Sequence, residues 1–203
     1  LLKKLDEILP LADASSSSHY RYRKLFVVLH TYGSHFNYQE RYPRSFAYFK
    51  PDSRSEAKPE NRQDLLNAYD NTIRYTDYIL HGIVERLQKW EKLQAKALAK
   101  TQAKTHGATC QPTSAMLYTS DHGENIFDDD RRLFLHAAPK ASDYELHVPF
   151  IIWTSEGFGN EYPNTWKALE ENRTKQVQTS LSAFHTMLGI GGIRTPYRLD
   201  EYS

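Results

Sequence analysis

The sequence lacks the features of a disulfide-rich, nucleic-acid-binding or membrane-spanning chain. It has one cysteine, Cys110, so no disulfide can form within the chain. Its 26 lysines and arginines nearly balance 25 aspartates and glutamates, and the formal net charge of +1 lacks the basic excess of most nucleic-acid binders. No window approaches the roughly 18 apolar residues of a membrane span. What remains is a chain of 203 residues, 39% of them hydrophobic, which suits one domain with a sizeable core.

Several common motifs are absent as well. The sequence has no glycine-rich phosphate loop, no paired zinc-finger cysteines and no nucleophile elbow. It begins Leu1-Leu2 rather than with methionine, and it shows no signal-peptide pattern. We therefore expect a fragment or processed piece of a longer protein, with N-terminal strands of the domain lying upstream.

The first half of the chain predicts a strand and a long helix between polar segments. Residues 1–20 predict the tail of an amphipathic helix followed by a linker. The apolar run KLFVVLH at 24–30 predicts a buried strand of a parallel sheet. Residues 50–63 are polar and predict an exposed loop. A helix capped by Asp64 follows, with an apolar stripe to Trp90 and a predicted break at His106-Gly107.

The second half predicts two further strands and a final helix. The apolar segments 115–120 and 147–153 predict the strands. Residues 176–188 predict a helix that Gly189 can end. Strands that alternate with long helices predict an α/β layered fold.

The sharpest candidate site follows the predicted strand 115–120. Asp121, His122, Gly123 and Glu124 come directly after it, and α/β sheets bind ligands beyond the carboxyl ends of their strands. A carboxylate beside an imidazole offers one oxygen and one nitrogen ligand, which suits Zn²⁺ or a similar divalent cation. An aspartate that caps the next helix beside an incidental histidine explains the same residues, so both interpretations stay open.

Histidines concentrate near the predicted strand ends. Five of the nine lie at strand ends or in adjacent loops: His30, His35, His122, His136 and His147. That concentration favours a metal or phosphate site. The charge run 128–132 is interpreted as a solvated face, and Cys110, in a polar loop without an activating partner, as an inert thiol.

Seven motifs resemble, in the same order, those of one enzyme family. Between about Phe26 and Trp153 the chain contains FVVLH, GSH, RYP, NAYDNT, SDHGE, LH and VPF. Together they resemble phosphoethanolamine transferases, which include the lipid A modifying and mobile colistin-resistance enzymes; SDHGE alone would also fit sulfatases. The resemblance implies an alkaline phosphatase/sulfatase-like layered fold with a mostly parallel sheet flanked by helices. Residues 1–203 would form the C-terminal part of one catalytic domain.

The resemblance also implies a reaction and a location. In this family a metal-activated threonine takes phosphoethanolamine from phosphatidylethanolamine and passes it to an acceptor such as lipid A phosphate or a surface sugar. The family's catalytic domain lies in the periplasm and is attached to the bacterial inner membrane by N-terminal helices. The partners expected here are therefore a phospholipid donor, a lipid A or glycan acceptor and the membrane, with no nucleic acid.

Individual residues receive roles by matching the family's motifs. Asp121 and His122 match a zinc-binding pair, so the expected cofactor is Zn²⁺ or a similar divalent cation. His35 and His136 match histidines that contact the substrate phosphate or a second metal. The expected substrate-binding residues are His30, Glu124 and His147.

The chain departs from the family in its missing parts. The strand with the zinc-binding glutamate and the turn with the threonine nucleophile would both lie upstream, and the family's usual disulfides are absent. We therefore predict no nucleophile in this chain and no transfer by this piece alone. Two other functions stay open: a sulfatase or phosphodiesterase hydrolase on the same fold, and a metal-free, non-catalytic relative.

Overall fold

The computed structural model describes residues 1–9, 25–102 and 111–202. The helices in these ranges are α1 (Leu2–Ile8), α2 (Arg62–Gln102), α3 (Asp143–Leu146), α4 (Phe158–Glu161), α5 (Pro163–Asn172) and α6 (Thr179–Gly191). The strands are β1 (Ala115–Thr119), β2 (Asn125–Ile126), β3 (Phe134–Leu135) and β4 (Phe150–Thr154). No helix among the described residues combines the length and apolar composition needed to cross a membrane. The predicted linker up to residue 20 and the predicted helix break at His106-Gly107 lie outside these ranges.

The chain divides into two compact units. The first unit comprises Leu1–Glu7, Lys24–Glu85 and His122–His147. The second comprises Ile8–Arg23, Arg86–Asp121 and Val148–Ser203. His122, Glu124 and His136 all belong to the first unit, whereas Asp121 belongs to the second.

One face of α2 forms the core of the first unit. Leu65 and Ala68, three residues apart on the helix, are both fully buried. They pack with Tyr38, Tyr42 and Ile126, and further aromatic side chains surround this cluster. Because Ile126 lies in β2, the same core that anchors α2 also fixes the β2–β3 hairpin.

A buried asparagine attaches a preceding loop to α2. Asn71 is fully buried, and its Oδ1 accepts hydrogen bonds from the backbone nitrogens of Tyr48 and Phe49, each at 2.9 Å. Its Nδ2 donates to the Phe49 carbonyl at 3.0 Å. Nearby, the Tyr42 hydroxyl donates to Asp52 at 2.7 Å, and burial together with this bond raises the pKa of Tyr42 to about 12. The loop is therefore held at defined points by buried polar groups.

The predicted exposed loop at 50–63 is only partly exposed. Most of its side chains face solvent, but Asp52 and Asn61 are buried. Residues 59–61 form a short 3-10 turn, and α2 begins at Arg62 rather than after Asp64. The Asp64 carboxylate accepts a hydrogen bond from the Arg54 backbone nitrogen at 3.0 Å. Asp64 therefore fastens this loop instead of capping the helix from outside it.

The predicted strand at 24–30 and its parallel sheet are not found. Residues 25–30 have no strand structure, and Phe26 and Val28 are 66% and 73% exposed. A strand needs ladder hydrogen bonds from a neighbour, and no described residue supplies them here. The sheets that do form within the described ranges are two antiparallel pairs, β1 with β4 and β2 with β3. The prediction of a mostly parallel sheet is thus wrong for this part of the chain.

The second unit contains the longer of these pairs. β1 and β4 lie antiparallel over five residues each, with Leu117 opposite Ile152, and α6 packs against β1. The predicted strands and final helix are found, shifted by up to three residues. The helix ends at Gly191 rather than before Gly189, and it is capped by Gly192, whose φ of 62° is the left-handed conformation that glycine adopts without strain.

Candidate functional site

The β2–β3 hairpin determines which side chains meet at the candidate site. In this antiparallel pair Asn125 lies opposite Leu135. The residue before β2 is therefore adjacent to the residue after β3, which places Glu124 next to His136. Chain direction and register alone thus bring a carboxylate and an imidazole together from two separate sequence motifs.

Three side chains converge at this end of the hairpin. Glu124 Oε1 lies 3.0 Å from Nδ1 of His136. The rings of His122 and His136 have their centroids 3.6 Å apart. One ligand atom from each of His122, Glu124 and His136 lies within 4.8 Å of the others, close enough to bind one metal ion. Two imidazole nitrogens and one carboxylate oxygen form a donor set that suits a divalent cation such as zinc.

Gly123 makes room for this arrangement. Its backbone nitrogen donates to the Glu145 carbonyl at 2.7 Å, which brings the two backbones into direct contact. A Cβ atom at this position would lie 2.0 Å from the Tyr144 carbonyl oxygen. The absence of a side chain at Gly123 is therefore what allows these two backbones to approach so closely.

Tyr38 anchors the carboxylate from the core. Its hydroxyl donates to Glu124 Oε2 at 2.6 Å, and the tyrosine is completely buried. Burial and this hydrogen bond raise the pKa of Tyr38 above its ordinary value, so the phenol remains a donor. The Glu124 side chain is only 5% exposed, whereas that of His136 is 35% exposed. The site thus has a buried carboxylate and an imidazole that solvent and ligands can reach.

Replacing Tyr38 with phenylalanine is expected to destabilise the chain by about 2 kcal/mol. The change leaves one oxygen of a buried carboxylate without its donor, and such a loss costs roughly 1–3 kcal/mol. Urea unfolding followed by circular dichroism measures the effect. Tyr48→Phe is the matched control, since Tyr48 is 70% exposed and should change stability by less than about 0.5 kcal/mol. Equal losses in the two variants would contradict the anchoring role of Tyr38.

The other four residues expected at the site are not members of this group. Asp121 is exposed in the second unit, with Ser120 Oγ at 3.4 Å from its Oδ1. His35 is exposed and makes an edge contact with Tyr32. His30 is exposed as well, and His147 is exposed at the end of α3. The structure therefore joins only His122, Glu124 and His136 of the seven candidates in one metal-capable group.

The sequence interpretation did not identify Tyr38 or the Glu124–His136 pair. Tyr38 is one of 14 tyrosines and carries no motif of its own. The pair depends on the register of two strands that are each two residues long. Strands this short leave no readable periodicity, so only the folded hairpin shows the pairing.

Comparison with known proteins identifies the family. The sequence profile of the sulfatase family matches residues 1–95 and 106–193. The chain belongs to the sulfatase family. Its resemblance to phosphoethanolamine transferases within that family is confirmed by relatives with that name. One is phosphoethanolamine transferase EptA of Salmonella typhimurium, 31% identical over 175 residues that cover 84% of this chain and 28% of the relative.

Solved structures confirm the sulfatase-like fold. The C-terminal periplasmic domain of phosphoethanolamine transferase EptC from Campylobacter jejuni matches with a TM-score of 0.74 and 27% identity, over 99% of this chain and 55% of that one. The integral membrane protein lipooligosaccharide phosphoethanolamine transferase A from Neisseria meningitidis matches with a TM-score of 0.68 and 27% identity, over 94% and 31%. This sulfatase-family chain spans about a quarter of the length of the curated relative and about half of the Campylobacter domain.

Proposed function

We propose that this chain forms part of the active site of a metal-dependent phosphoethanolamine transferase. The observation that carries the proposal is the convergence of His122, Glu124 and His136 within the β2–β3 hairpin of a sulfatase-family chain. The names of its relatives support the transferase over a sulfate-ester hydrolase. Transfer of a phosphoryl group develops negative charge on oxygen, which a divalent cation and nearby imidazoles stabilise.

Zinc is the cation that this proposal assigns to the site. A carboxylate and two imidazoles are the protein ligands of several catalytic zinc sites, in which a further position stays open for substrate. When bound, the ion would supply Lewis-acid stabilisation of phosphate oxygens. Glu124 Oε1 lies at Nδ1 of His136, the arrangement in which a carboxylate orients a histidine whose other ring nitrogen meets the metal. Asp121, which precedes His122, is proposed as a further ligand by its resemblance to the zinc-binding pair.

The histidines are proposed to act on the substrate, directly or through the ion. His136 is partly exposed, and its Nε2 would bind the ion that stabilises the phosphate oxygens. His35 is proposed as a second catalytic histidine, and His30 and His147 as substrate-binding residues, each by its place in the motifs. The threonine nucleophile is proposed to come from outside these 203 residues, so this chain alone should not catalyse transfer.

The substrates and the location follow the relatives. The Neisseria relative is named as an integral membrane protein that acts on lipooligosaccharide, and the Campylobacter relative has a periplasmic domain. We propose phosphatidylethanolamine as the donor and lipid A phosphate or a surface sugar as the acceptor. The whole protein would then act at the bacterial inner membrane, with this chain in the periplasm.

Mass spectrometry of lipid A tests this proposal in bacteria that express the full-length gene, including the region proposed to supply the threonine. The expected result is lipid A that gains the mass of one phosphoethanolamine group, and His122→Ala should abolish the gain. His81→Ala is the matched control, because the exposed His81 side chain on α2 contacts the exposed Glu85 at 3.5 Å. Unmodified lipid A and core sugars in cells that contain the folded protein would overturn the proposed function. Release of sulfate from an aryl sulfate by the same protein would favour the hydrolase.

A further inference from the structure

His136 lies between two residues with left-handed backbone conformations. The φ angles of Leu135 and Ala137 are 64° and 67°. Residues with a Cβ atom rarely adopt this region, because the side chain crowds the backbone. Two such residues on either side of one histidine persist only where the surrounding structure holds them. The direction of the His136 ring therefore depends on whatever holds its neighbours.

Two buried side chains hold these neighbours. Asn125 Nδ2 donates to the carbonyl of Leu135 at 2.7 Å. Glu145 Oε2 accepts from the backbone nitrogen of Ala137 at 3.1 Å. The peptide groups on the two sides of His136 are thus each bound by a different side chain.

The same two side chains are bound to each other. Asn125 Nδ2 also donates to Glu145 Oε1 at 2.6 Å. Ser142 Oγ donates to Asn125 Oδ1 at 2.5 Å and accepts from the Glu145 backbone nitrogen at 3.2 Å. Asn125, Ser142 and Glu145 are exposed by 2%, 2% and 6%. We call these three residues the buried clamp.

The charge of the clamp suits its role. The hydrogen bond from Asn125 lowers the pKa of Glu145 below its ordinary value, against the opposing effect of burial. The carboxylate is therefore ionised at neutral pH and can only accept hydrogen bonds. The surrounding donors satisfy both of its oxygens, so the network is complete and rigid.

We propose that Asn125 and Glu145 are positioning residues that fix the His136 imidazole against His122 and Glu124. They act through the backbone of Leu135 and Ala137 and do not touch the substrate. The inference deepens the proposed function, because it concerns the same site. Its central claim, that the clamp sets the ring position, concerns the metal-free chain and is tested there first.

The test compares clamp variants with a variant at another buried asparagine of the same unit, whose amide binds the loop before α2 rather than the hairpin. The variants are Asn125→Ala and Glu145→Gln, the second of which keeps the size of the side chain. The control is Asn67→Ala, since Asn67 is 8% exposed in the same unit and its Nδ2 donates to the Pro51 carbonyl at 2.7 Å. All three remove a buried hydrogen bond, so a loss of stability alone does not separate them.

The decisive measurement is the NMR signal of the His136 ring in the metal-free chain, assigned with His136→Gln. We expect the Hε1 signal to shift or split in both clamp variants and to stay unchanged in Asn67→Ala. If Asn125→Ala does not fold, Glu145→Gln carries the comparison. An unchanged His136 signal in a folded clamp variant, or an equal change in the control, would overturn the inference.

Zinc titration by calorimetry forms the second arm. The clamp variants should bind zinc about tenfold more weakly than the parent chain, the loss typical of residues that orient metal ligands. The control should bind like the parent. If the parent chain binds zinc, equal affinity in the clamp variants would overturn the inference. If the parent chain binds no zinc, a shifted ring signal in the clamp variants would still support the inference and would count against the metal site of the proposed function.

Discussion

Alanine at position 123 is expected to destabilise the chain by about 3 kcal/mol and to disrupt the candidate site. The added Cβ would lie 2.0 Å from the Tyr144 carbonyl oxygen, a backbone atom that cannot rotate away. Overpacking of this kind typically costs about 1–3 kcal/mol, and a backbone clash lies at the upper end. For a chain of this length the loss corresponds to a fall in Tm of roughly 6–12 °C. Calorimetry or thermal circular dichroism measures it.

A matched glycine separates this clash from the general effect of adding a methyl group. At Gly157 a Cβ would meet only Thr113 Cγ2 at 3.6 Å, an ordinary van der Waals contact, and the φ of −75° suits alanine. Gly157→Ala should therefore change Tm little. If Gly123→Ala has the same Tm as Gly157→Ala and the parent chain, the close approach of the backbones at 123 and 144–145 does not constrain the fold.

Removing His122 is expected to weaken zinc binding on the order of 100-fold or more. His122 is the residue shared by two ligand sets, the structural group with Glu124 and His136 and the sequence pair with Asp121. Loss of a direct ligand should cost at least as much as the 10–100-fold typical of groups that only orient ligands. Competition against a fluorescent zinc chelator measures the affinity of the purified chain.

Further variants distinguish the two ligand sets. Glu124→Gln keeps the shape and removes the charge, and Asp121→Ala removes the carboxylate of the sequence pair. If the structural group holds the ion, Glu124→Gln should weaken binding and Asp121→Ala should leave it nearly unchanged. The reverse pattern would return Glu124 to the substrate-lining role that its motif predicts. His81→Ala should bind zinc like the parent, and a large effect there would point to nonspecific binding by surface histidines.

Segments with strong periodicity could be predicted from the sequence, and the residues that join them could not. The stripe from Leu65 to Trp90 predicted α2, and the apolar segments predicted β1 and β4 to within a few residues. The strand predicted at 24–30 was wrong, because a valine-rich composition indicates a strand only where a neighbouring strand pairs with it. Composition says nothing about which partners a chain supplies, so the antiparallel pairing was missed too.

The same limit applies to the candidate site. The motif that contains His122 and Glu124 correctly predicted the segment that carries the candidate site, because polar and charged residues that follow an apolar strand can be recognised from the sequence alone. The partner of Glu124 depends on strand register, and its buried anchor, Tyr38, depends on tertiary packing. Neither has a local signal. The supporting residues Asn125 and Glu145 also have no sequence signal, because the sequence alone does not show whether an amide or a carboxylate is buried.

The ligand group and its anchor differ in how far apart they lie along the chain. His122, Glu124 and His136 all come from one hairpin segment, residues 122–136, so bringing them together closes only a short loop at small entropic cost. Tyr38 reaches Glu124 across 86 residues of sequence. Contacts of low sequence separation form with a smaller entropic barrier than distant ones. The three ligand residues can therefore come together before Tyr38 makes its contact with Glu124. An ion that binds the hairpin at that stage would favour the native register of β2 and β3 during folding.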